Sequence, residues 1–501
     1  MQDLIAVGAA FVVYLVVVLG IGAVAYGRTA DLADYILGGR RLGRWVTAMS
    51  AEASDMSGWL LMGLPGLAYA KGGEALWVAA GLVVGTYLNW KLVAERLRRY
   101  TQAAGNALTL PDFFERRFAD RSRLLRTVSV VIILLFSTFY TSALLVSGGK
   151  LFDAVFGMQY EWAVLLGAAV IVGYTFFGGF FAVAWTDLVQ GLLMAAALLL
   201  VPVWAIEVQG GWGAAGEAAR AVSVDFLSPF RARDGGALGW TAIASAAGWG
   251  LGYFGLPHVL ARFMAIRDPA ELVPARRIAV TWVTLTLIGA VLVGVAGLGY
   301  FPERLDDPER VFIALVDALF HPWVAGPLLA AILAAIMSTA DSQLLVASSA
   351  LSEDTYKALI APHAEPARLM WIGRAAVLII AAAALWLSMD PERVFELVAY
   401  AWAGFGAAFG PAILLALFWR RMTAAGALAG IVCGAVTVIV WKQLTGGIFG
   451  LYELIPGFAV SAAAVATVSM ATPAPAAPVT AGFDAVAGVG DRPAARTGKT
   501  P

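Results

Sequence analysis

The chain has 501 residues, of which 60% are hydrophobic and only 14% are charged, and its mean hydropathy is +0.80. Soluble domains are about 45–50% apolar and about 25% charged, so this composition indicates a polytopic membrane protein. The 34 basic residues balance the 34 acidic ones, which gives no indication of a nucleic acid partner, and a single cysteine excludes a disulfide framework.

Apolar runs along the chain predict thirteen membrane-spanning helices, because one span needs about 20 apolar residues. The predicted ranges are 4–27, 45–70, 74–95, 124–150, 161–180, 184–206, 240–264, 278–300, 322–350, 370–388, 394–419, 423–442 and 452–470. We expect one transmembrane domain over residues 1–470, in which the first helix is peripheral, the core covers about 45–419, and the helices at 423–470 come last.

Basic residues concentrate after the first, third, seventh and eleventh predicted spans, and Arg262 is counted among those after the seventh. Because cytoplasmic loops carry an excess of Lys and Arg, this alternation predicts an outside N-terminus and an inside C-terminus. After residue 470 the composition changes to Ala, Pro, Thr and Gly, which predicts a disordered cytoplasmic tail over residues 471–501.

The second predicted span contains the polar run "SAEASDMSGWLLMGLPG" from Ser50 to Gly66. A carboxylate at the depth of Asp55 is costly unless it faces water, an ion or a partner. The adjacent serines and Gly58 weaken a helix and free carbonyl groups, so the run predicts an interrupted helix that binds something. The alternative is a small-residue packing face in which Asp55 is structurally hydrogen-bonded. Glu52, one turn nearer the cytoplasmic end, is expected to reach the inner interface rather than act as a ligand.

The seventh predicted span contains a second interruption, "AAGWGLGYFGLPHVLARF", with four glycines and Pro257. Trp249 and Tyr253 are four residues apart and share a face of any helical stretch, where their rings can wall a small pocket. The alternative is that the glycines are packing notches and the rings fill the core. Two interrupted helices separated by five spans match the period of a five-plus-five inverted repeat, and such a pair marks a transporter site.

The ninth predicted span contains adjacent hydroxyl groups in "AAIMSTADSQLLVASSA", at Ser338 and Thr339. Alkali cations prefer oxygen ligands from carbonyl, hydroxyl and carboxylate groups. Free carbonyls near Ala53 and Met56, together with the two hydroxyls, would supply a small cage of such oxygens. These runs contain neither a phosphate-binding motif nor a nucleophile motif, so they give no indication of an enzyme.

The three polar runs, in this order, resemble the proline branch of the sodium:solute symporter family, and the similarity extends from the first span to about the twelfth. The resemblance implies an all-α, leucine-transporter-type fold and sodium-coupled uptake of L-proline by alternating access across the bacterial cytoplasmic membrane. It implies Na⁺ as coupling ion without another cofactor, contact with the lipid bilayer, no nucleic acid partner, and a functional monomer.

The resemblance also assigns site residues. The implied sodium ligands are Ala53, Asp55, Met56, Ala335, Ser338 and Thr339, and a second sodium site of some relatives maps to Asp187, Asp341 and Ser342. The implied substrate contacts are Ser57, Gly58, Trp59, Tyr140, Trp249, Tyr253 and Pro257. Leu256 stands where the family pattern has glutamine, and Asp341 where it has a small hydroxyl residue, so selectivity and ion count stay open. Another small amino acid or carboxylate is an alternative substrate, and a transporter-like solute sensor is an alternative of a different class.

Overall fold

A computed structural model describes residues 2–26, 32–175, 179–301, 303–390 and 393–487. Within these ranges the chain forms helices and no β-strand; two isolated bridges, one of them between Leu42 and Ile266, are the only extended pairings there. The all-α class that the apolar runs and the family resemblance imply is therefore observed in the described ranges.

The α-helices are numbered in chain order. The first eleven are α1 (Gln2–Tyr26), α2 (Leu32–Leu37), α3 (Arg44–Ala53), α4 (Leu64–Lys71), α5 (Ala75–Leu88), α6 (Ala94–Ala103), α7 (Leu110–Phe118), α8 (Leu124–Phe156), α9 (Tyr160–Thr175), α10 (Phe180–Val208) and α11 (Gly211–Val222). The others are α12 (Trp240–Ala247), α13 (Pro257–Ala265), α14 (Leu272–Tyr300), α15 (Val311–Leu319), α16 (Pro322–Ser349), α17 (Pro366–Leu387), α18 (Val394–Phe418), α19 (Ala424–Gln443), α20 (Leu454–Ala471) and α21 (Ala477–Ala487).

Ten helical stretches within the described ranges are long and apolar enough to cross a membrane. They are Leu4–Val24, Trp59–Ala103, Leu124–Phe156, Phe180–Val208, Pro269–Tyr300, Pro322–Ile360, Pro366–Leu387, Val394–Phe418, Ala424–Gln443 and Leu454–Ala471. The apolar stretch Tyr160–Gly173 is shorter, and the seventh predicted span is split between α12 and α13. Helix length therefore does not by itself confirm the predicted number of thirteen.

Both predicted interruptions are present. Helix α3 ends at Ala53, four residues without helical structure follow, and a π-helical turn over Trp59–Gly63 leads into α4. Helix α12 ends at Ala247 and passes into a 3₁₀ segment over Gly248–Gly255 before α13 begins. The glycines permit close packing here, since a Cβ atom at Gly250 would overlap the carbonyl oxygen of Gly81 on α5.

The first helix has one buried and one exposed face. Val7, Phe11, Tyr14 and Val18 are buried against α10 and α16, while valines on the opposite side are exposed, Val16 by 63%. Apolar side chains at this exposure are stable in contact with lipid.

Two expectations differ from the structure. Arg262 is not in a loop but fully buried on α13, because Asp187 and serine hydroxyls satisfy its guanidinium inside the protein. Residues 477–487 are not disordered but form α21, which packs against α6 and α7 through Phe483. Residues 488–501 of the predicted tail lie outside the described residues.

Candidate functional site

The first interruption frees a carbonyl group that meets a hydroxyl of α16. The helical partner of the Ala53 carbonyl would be the Ser57 N–H, but that group donates to the Asp55 carbonyl at 3.0 Å. The Ser338 hydroxyl donates instead to the carbonyl oxygens of Ala53, at 2.7 Å, and Ala335, at 3.1 Å. Three of the predicted sodium ligands therefore contact one another across the α3–α16 interface.

Next to this contact, Thr339 carries a hydroxyl that is buried and has no hydrogen-bond partner among the described residues. Buried hydroxyls are normally paired, because leaving one unpaired costs about 1–3 kcal/mol. Met56, the remaining predicted carbonyl ligand, is fully buried in the same interruption. The oxygen atoms available here are of the kind that an alkali cation binds.

Asp55 is fully buried at this interruption, and neither of its carboxylate oxygens has a hydrogen-bond partner within the described ranges. An ionisable group close to it is His258, whose Nε2 lies 3.7 Å from Asp55 Oδ1. The hydroxyl of Tyr140 donates to the Asp55 backbone carbonyl at 3.1 Å. A buried carboxylate without a paired cation is costly, so this position favours a bound positive charge.

The histidine beside Asp55 is held by α16 and α8. Ser137 donates to Gln343 Oε1 at 3.2 Å, which leaves the Gln343 amide N–H to donate to His258 Nδ1 at 3.0 Å. In the neutral imidazole the proton then resides on Nε2 and faces Asp55. The network therefore directs the N–H dipole of a neutral imidazole, and not the positive charge of an imidazolium, at the Asp55 carboxylate.

Glu52 does not reach an interface. It is 1% exposed, and its carboxylate accepts a hydrogen bond of 2.8 Å from the indole N–H of Trp90. The expectation that Glu52 lies at the inner surface is wrong, because the side chain is buried and pairs with Trp90 inside the protein.

Aromatic rings join the two interruptions. The Trp249 ring lies 5.9 Å from that of Trp59 and 5.8 Å from that of Trp402, which is also 5.2 Å from the Tyr253 ring. The Trp402 indole N–H donates to the Trp249 carbonyl at 2.9 Å. Trp249 and Tyr253 thus both contact Trp402 on α18, although they lie in a 3₁₀ segment and not in the regular α-helix from which a shared face was predicted.

Unpaired polar atoms border these rings. Ser57 Oγ, Trp59 Nε1 and the Tyr253 hydroxyl are buried and lack hydrogen-bond partners among the described residues. Small-molecule sites combine apolar walls with a few convergent polar groups. A hydroxyl, an indole N–H and a phenol among aromatic rings can recognise a small ligand that is part apolar and part polar.

A cavity of about 420 Å³ is lined in part by Trp249. Its wall includes Phe395 and Tyr452, whose rings are 4.7 Å and 5.6 Å from the Trp249 ring, the latter stacked at an interplanar angle of 23°. Lysine and glutamate side chains, among them Lys71 and Glu453, also line this cavity. Trp249 therefore contacts both the ring of Trp59 at the first interruption and the residues of this cavity.

Two predicted substrate contacts have visible packing roles. Pro257 is the first residue of α13, where a missing N–H has no cost, and it lines a different cavity together with Arg262 and Ser349. A Cβ atom at Gly58 would lie 2.8 Å from Ser147 Oγ on α8, so this position requires the absence of a side chain. Leu256, immediately before Pro257, is fully buried.

Two of the three residues of the implied second sodium site contact a guanidinium group. Arg262 Nη2 lies 3.3 Å from Asp187 Oδ2 and 2.5 Å from Ser342 Oγ, and Arg262 Nε donates to Ser50 Oγ at 3.0 Å. Asp341 accepts a hydrogen bond from Thr175, and its other oxygen has no partner within the described ranges. The structure therefore brings Asp187 and Ser342 together around Arg262.

The sequence interpretation missed His258, Gln343, Arg262, Trp402 and Tyr452. His258 and Arg262 lie in the quoted run of the seventh span, so their polarity in an apolar segment was a usable signal. Trp402 and Tyr452 are aromatic residues in aromatic-rich segments and carry no comparable signal.

The profile of the sodium:solute symporter family matches residues 35–434. The chain belongs to the sodium:solute symporter family. The family predicted from the three polar runs is therefore confirmed, and it is a family of transporters, not of enzymes.

Curated relatives of this symporter cover nearly its whole length. The sodium/proline symporter of Escherichia coli K12 is 51% identical over 475 residues, which are 93% of each chain. The high-affinity proline transporter PutP of Bacillus subtilis is 50% identical, over 93% of this chain and 98% of its own. The osmoregulated proline transporter OpuE of the same organism is 49% identical, over 93% and 94%.

Solved structures show the fold of this symporter. A Na⁺-coupled sialic acid symporter in a substrate-bound outward-open state matches with a TM-score of 0.76, at 19% identity, over 94% of this chain and 98% of that one. The nucleobase-cation-symport-1 transporter MHP1 in a closed conformation matches with a TM-score of 0.54, at 13% identity, over 91% and 98%. These matches confirm the leucine-transporter-type fold that the resemblance implies.

Proposed function

We propose that this symporter takes up L-proline together with sodium across the bacterial cytoplasmic membrane by alternating access. The observation that carries the proposal is the meeting of both interrupted helices at one buried site, where unpaired oxygens adjoin aromatic rings. Relatives about 50% identical over 93% of the chain are named as proline transporters, which supports this substrate.

The proposed sodium ligands are the carbonyls of Ala53, Met56 and Ala335 and the hydroxyls of Ser338 and Thr339. The Ser338 contacts support this set, because two of the carbonyls already lie within 3.1 Å of one hydroxyl oxygen. In the same proposal, Asp55 supplies a negative charge that offsets the buried cation.

The substrate side of the proposal follows from the shape of proline. The molecule is a zwitterion with a compact apolar ring, so its site needs donors for the carboxylate, acceptors for the ammonium, and apolar walls. The interruption after Ala53 and the 3₁₀ segment supply free backbone groups. Trp249, Tyr253 and Tyr140 are the proposed walls. Ser57, Gly58, Trp59 and Pro257 complete the proposed contact set.

The proposed topology has the N-terminus outside, the C-terminus inside, and one subunit as the transport unit. In that topology α7 and α21 are cytoplasmic, and the 420 Å³ cavity beside Trp249 faces the outside. The distribution of basic residues supports it. One cation crossing a potential of 100 mV supplies about 2.3 kcal/mol, enough for about fiftyfold accumulation of a neutral zwitterion.

A second sodium ion at Asp187, Asp341 and Ser342 requires Arg262 to move first, because its guanidinium lies 2.5 Å from the Ser342 hydroxyl and pairs with Asp187. We therefore expect one positive charge to enter per proline. Simultaneous measurement of current and radiolabelled proline uptake in proteoliposomes gives this ratio. Two positive charges per proline would contradict this expectation and show that a second ion enters.

The decisive experiment is uptake of radiolabelled proline by purified protein in proteoliposomes with and without an inward sodium gradient. We expect uptake with the gradient and none when potassium replaces sodium on both sides. Competition by other small amino acids and carboxylates tests the alternative substrates. Binding of proline without any sodium-driven accumulation would favour the alternative of a solute sensor.

A further inference from the structure

The C-terminal helix α21 makes specific contacts with the rest of the protein. Phe483 is buried, and Asp484 binds Arg420 with both carboxylate oxygens, at 2.7 Å and 2.9 Å. Arg420 lies in the turn between α18 and α19, whereas Phe483 packs toward α6 and α7. The eleven residues of α21 therefore connect two parts of the bundle that are distant in sequence.

The contact of Phe483 encloses a buried arginine. The guanidinium carbon of Arg117 on α7 lies 5.2 Å from the ring centre of Phe483, 5.2 Å from that of Tyr100 and 4.8 Å from that of Phe118. Its Nε donates to the Ala416 carbonyl at the end of α18, while Nη1 and Nη2 have no hydrogen-bond partner among the described residues. No carboxylate pairs with Arg117 in the part of the chain that the structure describes, so its charge is stabilised by three ring faces, one of which α21 supplies.

The helices beneath α21 close this side of the bundle. From α6, Arg98 Nε donates at 2.7 Å to the carbonyl of Ile266, which follows α13. Thr109, which caps α7, donates at 2.7 Å to Asp354 in the π-helical continuation of α16. The start of α7 also covers a cavity lined by Ser349 of α16. Groups on α6 and α7 therefore hold the inner ends of α13 and α16.

We propose that α21 is a cytoplasmic clamp, which holds α6 and α7 over the inner ends of α13 and α16 and leaves its dock when the transporter opens to the cytoplasm. The inference rests on the proposed topology, which places α21 on the cytoplasmic side of the membrane. Undocking removes the Phe483 ring from Arg117 and opens the Arg420–Asp484 pair. Both losses loosen the α6–α7 unit and thereby favour inward opening.

The test measures access to the covered cavity in the full-length protein. Cys433 is replaced by serine, and Ser349→Cys serves as the reporter, because Ser349 is 4% exposed and lies beneath α7. A membrane-impermeant maleimide is applied to inside-out membrane vesicles. We expect Phe483→Ala and Asp484→Arg each to raise the labelling rate of the reporter several-fold.

Matched variants separate docking from a general effect on the helix. Ala485→Arg adds the same charge at the neighbouring exposed position and should leave labelling unchanged. Combining Arg420→Asp with Asp484→Arg restores opposite charges and should return the rate to that of the parent. If Phe483→Ala and Asp484→Arg both label at the parent rate, the clamp is refuted. Reaction only in right-side-out vesicles would overturn the topology but not the docking role.

Discussion

The Thr339 and Ser338 hydroxyls offer the sharpest test of the sodium site, because the structure assigns them different roles in stability. Ser338 donates to the carbonyls of Ala53 and Ala335, whereas Thr339 Oγ1 has no partner in the described part of the chain. Ser338→Ala leaves the Ala53 carbonyl buried without its donor and should lower the free energy of unfolding by about 1–3 kcal/mol. Thr339→Val keeps the branched shape and removes a buried hydroxyl that has no partner, so we expect the free energy of unfolding to stay nearly unchanged or to rise slightly.

Both substitutions should weaken sodium binding, because each removes one proposed oxygen ligand. If a ligand hydroxyl contributes about 1–3 kcal/mol, the sodium concentration for half-maximal binding rises about five- to 150-fold. Thr339→Val is the decisive variant, since it should lower sodium affinity at nearly unchanged stability. Its matched control, Thr339→Ser, retains the hydroxyl and should bind sodium like the parent.

The assay pairs sodium titration without proline, followed by intrinsic fluorescence, with thermal unfolding of the same preparation. A Thr339→Val protein that binds sodium as tightly as Thr339→Ser would show that this hydroxyl is not a ligand. A Ser338→Ala protein that loses stability but retains sodium affinity would show that Ser338 stabilises the helix contact and does not bind sodium.

Two further substitutions test the remaining parts of the site. Asp55→Asn should leave the protein in the membrane but raise the sodium concentration for half-maximal uptake by a large factor, because the charge that offsets the cation is gone; an unchanged sodium dependence measured in vesicles would make Asp55 structural. Trp249→Ala should weaken proline binding at saturating sodium by more than about 1 kcal/mol, or about fivefold, because the ring contact is lost, while Trp249→Phe loses less. Normal proline affinity in Trp249→Ala would move the pocket to other helices.

Local signals made the two interruptions predictable from the sequence. A carboxylate at Asp55 is costly in an apolar span, and the glycines clustered after Ala247 allow the backbone to leave the regular helix. Their separation by five spans then indicated the repeat and hence the fold. Such evidence lies within single segments and does not depend on which residues contact one another in the folded protein.

The partners of these residues could not be predicted in the same way. His258 meets Gln343 across 85 positions of sequence, and Arg262 meets Asp187 across 75. A count of basic residues treats Arg262 as a loop charge, because burial depends on which acids and hydroxyls the fold brings to it. The helix α21 was missed for a related reason: its composition is that of a disordered segment, and a short helix is stable only when packing supports it.

The stacking of Tyr452 on Trp249 has a consequence for attempts to change the substrate range by exchanging segments between relatives. Tyr452 precedes α20, outside the predicted core, yet its hydroxyl donates to the Ala399 carbonyl at 2.7 Å and its N–H to Ser245 Oγ at 2.9 Å. A chimaera that takes residues 45–419 from one parent and the rest from another would combine a Trp249 and a Tyr452 of different origin. The connection from α19 to α20 should therefore be transferred together with the core.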